Sequence, residues 1–228
     1  MHTFCCDRCK LFKKHAKNIE VIERIKNHQQ KLHREIERQR DIFWNKFLSH
    51  RNALTEIGYL VDDYPTPKGM TTSQIRSENE LYLAEIIFSN VLENLTPAQL
   101  AAVICAITTE DTHMEFPFLP FSTPVKKTLN KIRNIRRHLE KLQEKHRVEA
   151  PLYLNLHFSS LIELWVDGAD WDTIAGELDI GEGDIVRAFK RVVDVLRQLT
   201  TIDNVPEWLV FTAREAIEKI QREPVNLD

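Results

Sequence analysis

The chain has 228 residues, of which 43% are hydrophobic and 29% are charged, and these proportions are ordinary for a soluble globular protein. No apolar run approaches the ~20 residues of a membrane-spanning helix, and the first residues lack the apolar core of a secretory signal, so we exclude a membrane protein and expect a cytoplasmic one. Only six glycines occur and runs of β-branched residues are scarce, which predicts an all-α fold.

The net charge of -3 conceals a strong separation of charge along the chain. Residues 1–51 contain 13 Lys and Arg against 6 Asp and Glu, and residues 126–147 contain 9 against 2. Residues 52–125 contain 2 basic against 10 acidic residues, and residues 148–228 contain 7 against 16. Two basic helices are therefore expected to meet phosphates, while the acidic remainder is not.

Three cysteines are crowded at the start of the chain. Cys6, Cys9 and His15 have a spacing that makes them weak candidates for zinc ligands. A closed zinc site needs four ligands, and Cys5 is a poor fourth ligand because adjacent cysteines rarely bind one ion together. We therefore predict reduced thiols and no metal site.

A long basic helix is predicted for residues 1–57, because neither glycine nor proline interrupts the chain from about Ala16 to Ile57. Its apolar residues recur at spacings of three, four and seven, which indicates a helix that lies against one partner helix. No second helix of matching length precedes it, so the seam predicts either a dimer or a partner outside this sequence. The seam consists of Ile22, Ile25, Leu32, Ile36, Phe43, Phe47, Leu54 and Ile57, with Gln29 and Gln39 as polar members.

The sequence of residues 58–76 predicts a short β-hairpin or wing. Gly58 is placed to end the long helix, and Pro65 and Pro67 favour extended backbone. Residues 77–228 predict a helical bundle, in which Ser77 or Asn79 caps the first helix, and Thr96 the second. The predicted helices cover residues 80–92, 97–107, 123–147, 151–166, 171–178, 183–200 and 206–222, with an irregular loop at 108–121.

The helix predicted at 123–147 is the strongest candidate for contact with nucleic acid. Its basic residues occupy several faces, and the sequence offers few acids and no evident i,i+4 pairing scheme to neutralise them. Such a run forms either a solvated face or a surface for RNA phosphates. The candidate residues are Lys126, Lys127, Arg133, Arg136 and Arg137.

The stretch DIGEGDIVRAFKRV, residues 179–192, allows three interpretations. A phosphate-binding loop is excluded because no strand precedes it and Lys190 lies two turns inside the following helix. A DNA-reading helix-turn-helix is weakened because that helix is apolar on two faces. A corner of the helical bundle remains. Because the chain contains neither a Walker A motif nor a DExH box, we predict no catalytic residues and no ATP hydrolysis by this chain alone.

Two segments resemble one known family. LTEIGYLVDDYPTPKGMTTSQIRSENELYLAEIIFSNVLENLTPAQLAAVICAI, from residue 54, and FSSLIELWVDGADWDTIAGELDIGEGDIVRAFKRVVDVLRQL, from residue 158, resemble the C-terminal helical domain, DSHCT, of superkiller-type DExH-box RNA helicases. The final IEKIQREPV is similar to the end of that domain. The resemblance covers residues ~54–228 in order and is closest to bacterial and plastid members.

The resemblance implies a strand-guiding module of an ATP-dependent 3′–5′ RNA helicase. In that family the bundle packs on the ATPase core and lines the path of the single strand, with Glu80 and Arg187 implied near it and Glu78 as an adjacent candidate. The resemblance also implies that residues 16–57 are the returning limb of an inserted stalk and that residues 58–76 are the remnant of a winged-helix domain. The implied partners are single-stranded RNA, the ATPase core in cis and RNA-decay proteins.

The resemblance also implies ATP and Mg²⁺ as cofactors of the full-length helicase and none of this chain, and a plastid location if the source is a plant. Two alternatives remain open at this point. One is a stand-alone helical protein-interaction module, and the other is a helix-turn-helix DNA-binding regulator.

Overall fold

A computed structural model of the chain describes residues 10–110, 120–176 and 181–226. These residues form nine helices and one two-stranded hairpin, which confirms the all-α prediction. The chain divides into two compact units, residues 1–50 and residues 51–228. Within the described ranges, no helix is long and apolar enough to cross a bilayer.

The long helix α1 runs from Phe12 to Glu56, within the predicted range of 1–57, and begins four residues before Ala16. In the first unit its seam residues Ile25, Leu32 and Ile36 are more than half exposed. The helix is therefore as predicted, and the identity of its partner stays a prediction.

The chain reverses after α1 at Gly58, whose φ of +78° lies in the left-handed region that favours glycine. Strands β1, Leu60–Val61, and β2, Tyr64–Pro65, then form the predicted hairpin, with Leu60 opposite Pro65. The assignment of this hairpin to a winged-helix domain stays a prediction.

The expectation of extended backbone at Pro67 is wrong, because helix α2, Pro67–Thr72, begins there. The hydroxyl of Thr66 accepts a hydrogen bond from the amide of Gly69 at 3.2 Å and caps the helix. Proline is favoured at the first position of a helix, since its fixed φ is already helical and its missing N–H has no partner there.

The bundle of the second unit is built around a central helix, α4. Every residue from 100 to 106 is completely buried, because α4 packs against four other helices, α5, α6, α8 and α9. The bundle helices are α3 Glu80–Phe88, α4 Pro97–Thr108, α5 Thr123–His146, α6 His157–Val166, α7 Trp171–Ala175, α8 Glu182–Leu199 and α9 Glu207–Ile220.

Two predicted helices are shorter than expected. The helix predicted at 80–92 ends at Phe88, because Asn90 adopts a left-handed backbone with φ of 55°. The helix predicted at 151–166 begins only at His157. Residues 151–156 are not helical, because the backbone amide of Asn155 donates a hydrogen bond to the carbonyl of Ala106 at 2.9 Å. Residues 177–178 lie outside the described ranges.

Helix α4 begins with a capping box, as predicted at Thr96. The Thr96 hydroxyl accepts from the Gln99 amide at 3.3 Å, and the Gln99 side chain accepts from the Thr96 amide at 3.1 Å.

Thr96→Ala is expected to lower the free energy of unfolding by about 1 kcal/mol, measured by urea denaturation. The matched control is Thr123→Ala, an exposed threonine whose side chain bonds no described residue. An equal loss in both variants would contradict the capping role.

Candidate nucleic-acid interface

The inner face of α5 is apolar and packs on α3 and α4, with Val125, Leu129 and Ile132 buried. The helical period therefore turns the intervening basic residues outward. Of the five predicted contact residues, Arg136 is half-buried and the other four are exposed: Lys126, Lys127, Arg133 and Arg137.

The expectation that α5 lacks i,i+4 pairing is wrong at one position. Arg136 Nε lies 3.0 Å from Glu140 Oε1, so this predicted residue is already neutralised within its own helix. At the end of α5, Lys145 and His146 contact Glu56 at 2.8 and 2.6 Å. Hydrogen bonds from Lys145 and His146 lower the pKa of the Glu56 carboxyl. The carboxylates therefore neutralise only one arginine and the C-terminal end of α5.

The remaining basic residues of α5 keep their charge uncompensated. Arg133 Nη1 donates to Asn130 Oδ1 at 2.5 Å, and Arg137 Nη1 donates to Asn134 Oδ1 at 3.2 Å. Both acceptors are neutral amides, and within the described ranges no carboxylate pairs with either arginine. We call the four exposed cations that share one line along α5 the basic row. It consists of Lys126, Arg133, Arg137 and Lys141.

A second surface is a cleft between the start of α3 and one face of α8, with a volume of about 290 Å³. We call it the α3/α8 cleft. Tyr153 donates its hydroxyl proton to Glu78 Oε2 at 2.7 Å across the mouth of this cleft. That hydrogen bond, together with burial, raises the pKa of Tyr153 to about 12, so the phenol is neutral at physiological pH. Other residues of the lining are Arg76, Asn79, Tyr82, Arg191, Asp194 and Gln198.

Arg191 links this cleft to a neighbouring cavity of about 180 Å³ that Arg187 also lines. Arg191 Nη1 donates to the carbonyl of Thr108 at 3.1 Å, which fixes the guanidinium against the end of α4. Arg187 is different, because its side chain is 77% exposed and its nearest acid is Asp184, at 3.5 Å. One face of α8 therefore carries an arginine fixed to α4 and a largely exposed arginine that forms an ion pair only within its own helix.

Glu80 is the exposed first residue of α3, directly after Asn79, which caps that helix by accepting from the Tyr82 amide at 3.0 Å. Within the described ranges Glu80 makes no contact with Arg187. The α8 residues that line the cleft beside the start of α3 are Arg191, Asp194, Val195 and Gln198, and Arg187 is not among them. The sequence offered no sign of Tyr153, because its segment was predicted to be helical.

Lys68 lies in α2, next to the hairpin, and is not available for a ligand. Its ammonium lies 2.5 Å from Glu85 Oε1 and 4.3 Å from the centre of the Tyr59 ring. Tyr59 donates its hydroxyl proton to the same carboxylate oxygen at 2.7 Å. This cluster fastens the hairpin region to α3.

The weak metal candidates Cys6 and Cys9 lie outside the described residues. The third, His15, is an exposed residue of α1. Among the described residues, no group of three His, Cys, Asp or Glu side chains is placed to hold a metal ion. Cys105 is completely buried in α4, and burial raises the pKa of its thiol to about 12.

Comparison with known proteins gives one consistent result. The DSHCT (NUC185) domain family matches residues 62–228. The chain is 30% identical over 218 residues to the DExH-box ATP-dependent RNA helicase DExH15 chloroplastic of Arabidopsis thaliana, which covers 91% of this chain and 18% of that protein.

Two further relatives have lower identity. The ATP-dependent RNA helicase mtr4 of Schizosaccharomyces pombe is 26% identical over 196 residues, covering 82% of this chain and 17% of that protein. The Exosome RNA helicase MTR4 of Homo sapiens is 23% identical over 173 residues, covering 73% of this chain and 16% of that protein. The chain therefore spans less than a fifth of the length of each of these three relatives.

Proposed function

Because the chain belongs to the DSHCT domain family of DExH-box RNA helicases, we propose that it is the strand-guiding C-terminal module of an ATP-dependent 3′–5′ RNA helicase. In this proposal the bundle binds the backbone of single-stranded RNA and packs on an ATPase core in the same polypeptide. ATP and Mg²⁺ belong to that core.

The observation that carries the proposal is the basic row of α5. Its four cations are exposed and have no carboxylate partner among the described residues, in a unit whose sequence is otherwise acidic. Cations that face water without an internal partner attract a polyanion, and release of its counterions gives affinity without base sequence specificity. Lys127 lies on the adjoining face and adds to the same positive potential. Arg136 stands as a weaker contact, because Glu140 already occupies it.

Arg187 and Glu80 are the proposed contacts at the other surface. Arg187 has an exposed guanidinium with five donors, which suits a phosphate oxygen or a base edge. Glu80 repels phosphates and accepts hydrogen bonds from base amino groups, so it favours a strand that turns its bases toward the start of α3. RNA-decay proteins are the proposed partners of the full-length protein, because one relative is named an exosome RNA helicase.

Binding of a labelled single-stranded RNA, followed by fluorescence anisotropy at increasing salt, tests this function. Wild-type protein is expected to bind single strands and to lose affinity steeply with salt. Arg187→Glu is expected to weaken binding roughly tenfold at low salt, since one charged hydrogen bond becomes a repulsion. The control is Arg214→Glu, which makes the same charge change on α9, outside both cavities. Absence of RNA binding at every salt concentration would contradict the proposal.

One observation favours a second function, protein interaction through α1. Its exposed apolar residues, including Phe43, Trp44 and Phe47, form a face suited to another helix. A module of this kind is expected to sediment as a dimer and to show no affinity for RNA. Ile25→Asp is expected to abolish the dimer.

We do not propose a DNA-binding regulator. Helix α8 is buried along two faces, at Ile185, Phe189, Val192, Val193 and Leu196 among others, and a helix held in this way is not free to enter a groove.

A further inference from the structure

We propose that the basic row of α5 is a track for the phosphodiester backbone of single-stranded RNA, in which Asn130 and Asn134 position Arg133 and Arg137 without neutralising them. The inference rests on the proposed function and deepens it by naming the contact line and its positioning residues.

The row has the geometry of a track. Lys126, Arg133, Arg137 and Lys141 are separated by seven, four and four residues, and these intervals return to one side of an α-helix. Fifteen residues at the helical rise span about 22 Å. That length accommodates about six nucleotides at the ~3.4 Å spacing of a stacked strand. A strand lying along α5 therefore meets a cation at intervals over its whole contact.

The two asparagines have a specific consequence for charge. Each lies three residues before an arginine and accepts one of its five guanidinium protons through a neutral amide oxygen. Elsewhere on the chain the same i,i+3 position holds a carboxylate, as in Glu35 with Arg38, at 2.6 Å. A carboxylate orients the arginine and cancels its charge. An asparagine also orients the arginine and reduces the conformational entropy lost on binding. The full positive charge of the guanidinium then remains to attract the ligand.

The surroundings of the row favour a nucleic acid over a protein. Protein interfaces derive most of their affinity from buried apolar and aromatic anchors. No large apolar side chain is exposed on any described residue of α5. A polyanion needs no such anchor, because its affinity comes from phosphate neutralisation.

The test compares two double variants of the full chain, with RNA affinity measured at several salt concentrations. Asn130→Asp with Asn134→Asp provides both arginines with a carboxylate at the same distance along the helix. We expect a loss of affinity of at least tenfold at low salt and a salt-dependence slope smaller by about 1.4, since each lost single-strand contact contributes about 0.7. Asn130→Ala with Asn134→Ala keeps the charges, so we expect an unchanged slope and a loss of only about threefold to fivefold.

A third variant, Glu140→Gln, adds an unpaired cation beside the basic row. It releases Arg136, and we expect tighter binding with a slope larger by about 0.7. Thermal denaturation followed by circular dichroism establishes that all variants are folded, and both asparagines are exposed, so their replacement leaves the core intact.

Failure of the track is distinguishable from failure of the proposed function. If wild-type protein binds RNA but the Asp double variant binds with unchanged affinity and slope, the track is wrong and the RNA lies elsewhere. Equal effects of the Asp and Ala double variants would also overturn the positioning role. If wild-type protein binds no RNA at any salt concentration and instead binds an acidic protein through the same arginines, both the track and the proposed function are wrong.

Discussion

Reversing the charge of Arg133 and Arg137 together is expected to weaken binding of single-stranded RNA roughly a hundredfold at low salt, because each charged hydrogen bond to a phosphate contributes about 1.5–3 kcal/mol. Neither arginine contributes to the core, since both are exposed and bond only to neighbouring asparagines. The double variant is therefore expected to unfold at the same temperature as the wild type. Fluorescence anisotropy with a labelled oligonucleotide measures the affinity.

The matched control for this prediction is Arg214→Glu with Lys219→Glu on α9. It changes the net charge by the same amount and replaces residues that are also exposed. If RNA senses only the net charge of the protein, both double variants lose affinity equally, and the local assignment to α5 is then wrong. If the basic row is the contact, the α9 variant loses at most a few-fold, and this small loss disappears as salt is added.

Replacing Trp165 by alanine is expected to lower the free energy of unfolding by about 4 kcal/mol. The side chain is 2% exposed and meets Trp171 edge to face at 5.5 Å between ring centres. Its indole N–H donates to the carbonyl of Ile220 at 2.9 Å, and the Arg222 guanidinium lies 3.7 Å from the ring centre. The substitution removes a large core volume and leaves the last turn of α9 without its anchor. Urea denaturation measures the loss.

Two comparisons make the Trp165 prediction specific. Trp44→Ala removes an exposed tryptophan of α1 and is expected to change the free energy of unfolding by less than about 0.5 kcal/mol. Arg222→Ala removes the cation over the ring and its hydrogen bonds to the carbonyls of Trp165 and Ala169, and an intermediate loss of about 2 kcal/mol is expected. A loss below 1 kcal/mol for Trp165→Ala would show that α6 does not anchor the C-terminal turn.

Some arginines of the second unit contribute to stability and others are proposed to bind RNA. Arg222 is an arginine of the second unit, but its charge is directed onto a ring and two carbonyls of the α6–α7 region. Arg191 is likewise fixed to the end of α4. Arg133, Arg137 and Arg187 bond no distant part of the chain within the described ranges. These five arginines therefore divide into two that hold the bundle together and three that bond no distant part of the bundle.

Sequence patterns alone determined most of the helices. The uninterrupted heptad-like seam predicted α1, and the Thr96–Pro97 pair predicted the start of α4. These features depend on residues within one or two helical turns of each other, so the local pattern contains the necessary information. Composition and the family resemblance predicted the all-α bundle.

Tertiary structure alone decided which charged residues pair across the fold. Glu56 contacts Lys145 and His146, which are 89 and 90 residues away in the sequence, and Tyr153 donates to Glu78, which is 75 residues away. The α3/α8 cleft also brings together Arg76 and Arg191, which are distant in the sequence. No periodicity or cap encodes such contacts, because they depend on how α3, α4, α5 and α8 pack. The sequence therefore determined the position of the basic helix and its local pair Arg136–Glu140, and the packing determined which of its cations pair with distant residues.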